Sequence, residues 1–147
     1  MTKYFLYISL SLITFNLSFA QNIDIQEDIK IDFVCELEKK ILKNSKYNYK
    51  TFLAKDLNEK NLEQFEIEAK QPAKLLINGL SIFLTKNIKL DVKVVNKDIV
   101  LFKAFDEDEN YSESGIINRN SGELVHEVTK DLKSDNFEKD ISFYKCS

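Results

Sequence analysis

Residues 29–38, IKIDFVCELE, decide the fold class, because apolar and charged side chains alternate along most of this stretch. In an extended chain every second side chain points to the same face, so a period of two predicts a strand with one buried and one solvated face. Ile29, Ile31, Phe33, Cys35 and Leu37 share the predicted buried face, and Lys30, Asp32, Glu36 and Glu38 share the solvated face.

The same alternation recurs along the chain between turn signals. Weaker versions occupy residues 47–53 and 65–69, and a clear one runs over 88–94. The dipeptide Asn78-Gly79 between two apolar runs is typical of a two-residue hairpin turn, in which both residues take positive φ. Residues 96–98, Asn-Lys-Asp, predict a second hairpin.

The last third of the chain contains the strongest turn signature. Residues 118–122, Asn-Arg-Asn-Ser-Gly, separate two apolar runs, and Gly122 can take the left-handed conformation of a short hairpin loop. Residues 141–146 alternate again and predict a closing strand. Around eight short strands predict a mostly β fold, a small antiparallel β-barrel or sandwich with at most one short helix.

Two stretches permit a helix as well as a strand. Leu57, Leu62 and Phe65 lie at spacings that also suit a helix, so residues 57–69 are compatible with either element. Residues 34–42 likewise permit a helical continuation of the first strand. Neither alternative changes the fold class, and no linker or repeat divides residues 21–147, so we expect one β-rich domain.

The N-terminal segment has the three parts of a secretory signal peptide. Lys3 supplies a short charged region, residues 4–15 are almost wholly apolar, and Ser18 and Ala20 are small enough for a signal peptidase site. The apolar run is shorter than the roughly 20 residues that a membrane-spanning helix needs. We therefore predict that residues 1–20 are removed between Ala20 and Gln21, leaving a periplasmic or secreted protein without a membrane anchor.

The chain has two cysteines, Cys35 near the start of the predicted mature protein and Cys146 next to the end. Exported proteins fold in an oxidising compartment, where such a pair normally joins. A disulfide needs Cα atoms within about 7 Å, so we predict that the first and last strands are neighbours, or nearly so, and that the sheet closes. A redox or metal-binding thiol is the alternative, and it lacks a Cys-x-x-Cys motif or a nearby histidine.

The charge balance limits the partners that the chain can bind. The net charge of −3 does not favour nucleic acid or an anionic membrane surface, since both need clustered basic residues. Arg119 is the only arginine and lies at a predicted hairpin tip, where its guanidinium can hold a carboxylate or a carbonyl. We favour a clamp between loops for Arg119 and keep it as a weak ligand-contact candidate.

The acidic loop at 106–112 supplies three more weak ligand-contact candidates, Asp106, Asp108 and Tyr111. Oxygen donors at alternate positions are typical of the start of a calcium loop. An EF-hand needs Gly at its sixth position and Glu at its twelfth, where this chain has Tyr111 and Ile117. We therefore favour a solvated loop over a Ca²⁺ site and expect no cofactor.

Residues suited to catalysis are sparse. His126 is the only histidine and shares a predicted strand face with Leu124 and Val128, which favours a core or edge histidine over a general base. A hydrolase that uses two carboxylates is the alternative. It would need a deep cleft with inward carboxylates about 5 to 10 Å apart.

In size, β class and single disulfide the chain resembles the periplasmic lysozyme inhibitors, which are small single-domain β-barrels. The Ser-Gly-x-Arg-Tyr type of loop expected from that family is absent, because Ser114-Gly115 is followed by Ile116 and Ile117. The export signal and the sparse catalytic residues favour a non-catalytic binding or inhibitor-like module for an unknown protein or small ligand. A small carboxylate-dependent hydrolase and a structural envelope component are the alternatives.

Overall fold

The computed structural model describes residues 29–57, 61–70, 72–81, 89–106, 108 and 110–147. The predicted signal peptide and the predicted cleavage between Ala20 and Gln21 lie outside these residues. The described chain is mostly β, and its only helical element is a single 3-10 turn, Ala54–Asp56. The predicted mostly β, antiparallel fold is confirmed.

Within the described residues the sheet contains ten strands. They are β1 (Lys30–Lys43), β2 (Lys50–Leu53), β3 (Leu62–Glu68), β4 (Lys74–Ile77), β5 (Leu80–Ser81), β6 (Lys89–Val94), β7 (Ile99–Asp106), β8 (Tyr111–Asn118), β9 (Glu123–Lys130) and β10 (Glu138–Cys146).

The strands pair in the order β5-β4-β3-β1-β10-β9-β8-β7-β6, and β2 pairs with β1 off this path. Without β2 and the two-residue β5, eight strands carry the sheet, in agreement with the number predicted. Strands β6 to β10 follow one another as consecutive hairpins. The first and last strands meet in the middle of the order, as the cysteine pair predicted.

The sheet curls into a nearly closed barrel. Phe65 on β3 and His126 on β9 are separated by three strand spacings, which would be about 14 Å in a flat sheet. Their ring centroids are nevertheless only 5.7 Å apart. One hydrophobic core draws residues from β1, β3, β4 and all five strands from β6 to β10, so the inner face encloses a single core.

The disulfide joins Cys35 to Cys146 at directly opposite positions of β1 and β10, with a Cα–Cα distance of 3.9 Å. Both cysteines are buried in the core. Beyond the bridge, Val34 and Ser147 exchange two backbone hydrogen bonds of 3.2 and 3.0 Å, which extend the ladder to the C-terminus. The predicted bridge is confirmed, and it lies in the centre of the sheet, away from the two edges formed by β5 and β6.

The predicted tight turns form at glycine and asparagine. Asn78 and Gly79 have φ values of 53° and 74°, as the two-residue hairpin turn requires. Gly122 has a φ of 68° and lies so close to the end of β10 that a Cβ atom would overlap the carbonyl oxygen of Cys146. Gly122 is therefore required both by its backbone conformation and by its contact with the last strand.

Strand β1 contains an irregularity that the alternation alone does not predict. The pairing with β10 shifts between Leu37 and Lys39, so one extra residue is inserted and the faces exchange. As a result Lys40 lies opposite the buried Ser142, and its side chain is only 14% exposed. The helical continuation considered for residues 34–42 is not formed, since β1 extends as a strand to Lys43.

The second ambiguous stretch is also a strand. Residues 62–68 form β3, with Phe65 and Ile67 buried and Glu66 between them partly exposed. The helical spacing of Leu57, Leu62 and Phe65 did not decide the structure, because pairing with β1 buries every second residue. Residues 58–60 lie outside the part of the chain that the structure describes.

Candidate functional site

A cluster of three polar side chains lies inside the barrel, and we call it the polar cluster: Tyr111, Glu113 and His126. The Tyr111 hydroxyl donates a hydrogen bond to Glu113 Oε2. His126 Nε2 lies 2.5 Å from Glu113 Oε1. Glu113 and His126 are only 1% and 7% exposed, and both oxygens of the Glu113 carboxylate have a protein partner within the cluster.

A second group of polar side chains connects β10 to β1 and β3. Lys40 Nζ and Ser142 Oγ both donate to the Asp140 carboxylate, at 3.3 and 2.9 Å. Tyr144 donates to Glu63 Oε2 at 2.8 Å. Both carboxylates are partly exposed, so these contacts link the three strands at the border between the core and the solvent.

Aromatic rings pack between the two polar groups. The Phe65 ring contacts both His126 and Tyr144 edge to face, with centroid distances of 5.7 and 5.4 Å. Phe102 packs against His126 from the other side, at 5.9 Å. A side chain at position 115 would overlap the Phe102 ring, so Gly115 leaves the space that this ring fills. The interior is therefore filled by its own side chains.

This arrangement bears on catalysis at His126. Glu113 and His126 are bonded to each other, and the Ser142 hydroxyl donates to Asp140. Ser142 is 4% exposed. A nucleophile and its base must reach a substrate atom at about 3 Å. Glu113, His126 and Ser142 are buried in the core. The Asp140 side chain, by contrast, is 36% exposed. His126, at 7% exposed, occupies one of the two positions, core or edge, that the sequence favoured for it.

Burial raises the pKa of two interior tyrosines. For Tyr111 the main cause is desolvation, followed by the hydrogen bond to Glu113 and the charge of that residue. For Tyr144 it is desolvation, followed by the charge of Glu63 and the hydrogen bond to it, while a hydrogen bond with Ser142 opposes the shift. Both tyrosines hold their protons at a pH at which an exposed tyrosine has lost its own.

We expect Tyr144 to make the protein less stable in alkali. The pKa of a tyrosine in the unfolded chain is about 10, and the folded pKa of Tyr144 is higher. Above pH 10 the unfolded state releases this proton while the folded state keeps it, so stability is complete below that pH and falls as the pH rises. The slope reaches about 1.4 kcal/mol per pH unit for one group.

Urea unfolding between pH 8 and pH 11.5 measures this slope. The Tyr144→Phe variant should lose part of the alkaline decline, whereas Tyr49→Phe, which alters a tyrosine that is 50% exposed, should retain it. Identical slopes for wild type and Tyr144→Phe would contradict the assignment.

The sequence-predicted ligand-contact candidates lie at opposite ends of the barrel. Arg119 Nη1 donates to the backbone carbonyl of Lys97 at 3.2 Å, and the Arg119 amide donates to that of Asp98 at 2.6 Å. This is the clamp between loops that the sequence favoured. Asp106 and Tyr111 are directly opposite each other in the ladder at the other end of the β7–β8 hairpin. At the rise per residue of a strand, this end lies roughly 25 Å from Arg119.

The acidic loop has local hydrogen bonds of its own. Asp106 is 2% exposed, and its Oδ1 accepts from the backbone amide of Asp108 at 3.0 Å. Within the described part of the chain no group of three or more His, Cys, Asp or Glu side chains is arranged to hold a metal ion. Glu107 and Glu109 lie outside that part, so Ca²⁺ binding by the whole loop stays an untested alternative.

The outer face of the barrel carries a row of apolar side chains that we call the outer stripe: Phe143, Val125, Ile116 and Leu101. They lie on β10, β9, β8 and β7 and are directly opposite one another in the ladder. Ile116 is 43% exposed, and the other three are partly exposed. The stripe thus crosses four neighbouring strands without interruption.

A groove of about 530 Å³ runs beside the stripe across β6 to β9. Leu101, Ile116 and Val125 form its apolar wall. The opposite wall is polar, and the backbone at Phe102 and Gly115 lies between the two walls. Asp91, Lys103, Ser114 and Glu127 form the polar wall.

The outer stripe was missed from the sequence, although a signal exists. Apolar residues stand next to each other in four successive strands, where strict alternation would place a polar residue outside. The adjacent pairs are Leu101-Phe102, Ile116-Ile117, Leu124-Val125 and Phe143-Tyr144. Only the register shows that their outward members are aligned.

The chain matches none of the protein-family models, curated proteins or solved structures with which it was compared. Across the residues that the structure covers, no helix is long and apolar enough to cross a bilayer.

Proposed function

We propose that the protein is an exported, non-catalytic binding module, periplasmic or secreted, that holds a partner protein on its outer stripe. The observation that carries the proposal is the continuous row Phe143, Val125, Ile116 and Leu101 on the outer face. Aligned, partly exposed apolar side chains are typical of interaction sites, whereas single exposed apolar residues are ordinary.

The filled interior supports binding on the outer face. Phe65, Phe102 and the polar cluster occupy the space that a ligand would need in an open barrel. The buried acid and base, Glu113 and His126, are bonded to each other, which favours a binding module over a carboxylate hydrolase. The Cys35–Cys146 bridge is compatible with an oxidising destination.

Crosslinking in the living cell tests the proposal. A photoreactive amino acid is placed at Ile116 in the full chain, and the same amino acid at Val34 serves as control. Val34 is also β-branched, lies in a strand and is 49% exposed, against 43% for Ile116. We expect one stoichiometric adduct from position 116 in the exported fraction and none from position 34.

The Val125→Asp substitution, made in the chain that carries the probe at 116, should abolish the adduct because it places a charge inside the stripe. Equal adducts from both positions, or an adduct that persists in Val125→Asp, would refute the outer stripe as the binding surface.

Mass spectrometry of the exported protein tests the compartment. Recovery of the chain with Met1 still attached would refute the removal of residues 1–20 by signal peptidase.

A further inference from the structure

We propose that the partner bound on the outer stripe presents an apolar polypeptide segment with acidic side chains at both of its ends. The inference rests on the proposed function and adds the chemistry of the partner. It is carried by two lysines that end the row. Lys39 lies opposite Phe143 on β1, and Lys93 lies opposite Leu101 on β6.

The spacing of the row sets the size of the segment. The four apolar side chains span three strand spacings, about 14 Å, and the two lysines lie one spacing further out on each side. An extended segment of about four residues covers the apolar part at 3.3 Å per residue. Carboxylates just outside it would lie above the two ammonium groups.

The remaining charges leave the β6 end of the stripe positive. At the β6 end, Lys93 and Lys103 outnumber Asp91, and none of the three forms an ion pair among the described residues. At the β1 end, Lys39 Nζ lies 4.4 Å from the centroid of the Phe143 ring, which places its charge directly over the apolar row.

The polar wall adds no net negative charge next to the stripe. Glu127 forms an ion pair of 2.8 Å with Lys139, so its charge is compensated. A partner with carboxylates at the two ends of an apolar segment is therefore complementary to the row, and one with lysines is not.

A second copy of this chain does not fit the same surface. In a two-fold dimer whose two stripes lie along one another, the rows of the two copies run either in the same direction or in opposite directions. Lys39 then faces Lys39 or Lys93, and Lys93 likewise faces a lysine, so like charges are opposed at both ends in either arrangement. Like-charge contacts at an interface disfavour the complex.

Selection from a displayed library of random twelve-residue peptides tests the inference, with the full exported protein as target. We expect enriched peptides to carry an apolar core with Asp or Glu on both sides. The double variant Lys39→Glu/Lys93→Glu should enrich Lys or Arg at the same places. It should bind the wild-type peptides roughly tenfold less tightly, as expected for two exposed charge pairs.

Two further variants separate this inference from the proposed function. Val34→Asp should select the same peptides as wild type, and Ile116→Asp should select none of them. Enrichment that is unchanged by Ile116→Asp would overturn the proposed surface. Peptides that need Ile116 but show no acidic flanks would overturn the inference and leave the proposed surface intact. Peptides that keep the same flanks after charge reversal would do the same. A library that yields no enriched peptide would also overturn the inference.

Sedimentation of the free protein tests whether a second copy of the chain binds to the outer stripe. A monomer is expected, and a dimer that dissociates in Ile116→Asp would overturn the inference in favour of self-association. The affinity of the selected peptides should also fall as salt is raised from 50 to 500 mM, because exposed charges are screened.

Discussion

Reduction of the Cys35–Cys146 bridge is expected to lower the free energy of unfolding by about 4 to 5 kcal/mol. The two cysteines are 111 residues apart in sequence, so the bridge constrains nearly the whole described chain in the unfolded state. Such a loss is a large share of the roughly 5 to 15 kcal/mol that stabilises most domains. Since the bridge joins β1 to β10 in the middle of the sheet, both halves depend on it.

Urea unfolding of the oxidised and reduced protein measures the difference. For an m-value of about 2 kcal/mol/M, the midpoint should fall by about 2 M, and the m-value should rise because the reduced unfolded chain exposes more surface. The double variant Cys35→Ala/Cys146→Ala shows what the loss of the sulfur atoms adds, since the reduced wild type keeps them in the core. Equal midpoints for oxidised and reduced protein would contradict the expectation.

Glu113→Ala is expected to lower the free energy of unfolding by about 3 to 5 kcal/mol. Glu113 is 1% exposed and accepts hydrogen bonds from both Tyr111 and His126. Its removal leaves two polar groups without this acceptor inside the barrel and opens a cavity beside Phe102 and His126. The cost of the unsatisfied groups exceeds the net value of the hydrogen bonds themselves.

Glu113→Gln is the matched control because it keeps the size of the side chain and one acceptor oxygen. It should cost about 1 to 2 kcal/mol, clearly less than alanine. The double variant Glu113→Ala/His126→Ala should be more stable than the sum of the single changes predicts, by about 1 kcal/mol or more, because the pair is broken once. Additive losses, or equal losses for alanine and glutamine, would show that the polar cluster does not act as a unit.

Local signals in the sequence predicted the inward face of the first strand and the tight turns. Alternation over 29–37 predicted the buried face of β1, of which Ile31, Cys35 and Leu37 are at most 4% exposed. Asn78, Gly79 and Gly122 adopt positive φ at the predicted turns. These features depend on side-chain periodicity and backbone sterics, which act within a few residues and are therefore visible in the sequence.

The helical alternatives failed because periodicity in a short apolar segment is ambiguous. Residues 62–68 form β3 because β1 pairs with the whole segment and β4 pairs with residues 65–68. The interior position of Lys40 follows from one inserted residue in β1, which exchanges the faces. A period of two defines the two faces of a strand and says nothing about which neighbour it pairs with.

The sequence by itself determined the mostly β class, the tight turns, the pairing of Cys35 with Cys146 and the core position of His126. The class, the turns and the position of His126 depend on local conformation and side-chain periodicity. The pairing of the cysteines depends on there being no third cysteine in the chain. Only the tertiary structure decided the strand order, which places the disulfide in the centre of the sheet and the edges at β5 and β6. It also decided the outer stripe, because alignment of Phe143, Val125, Ile116 and Leu101 exists only in the register of four strands.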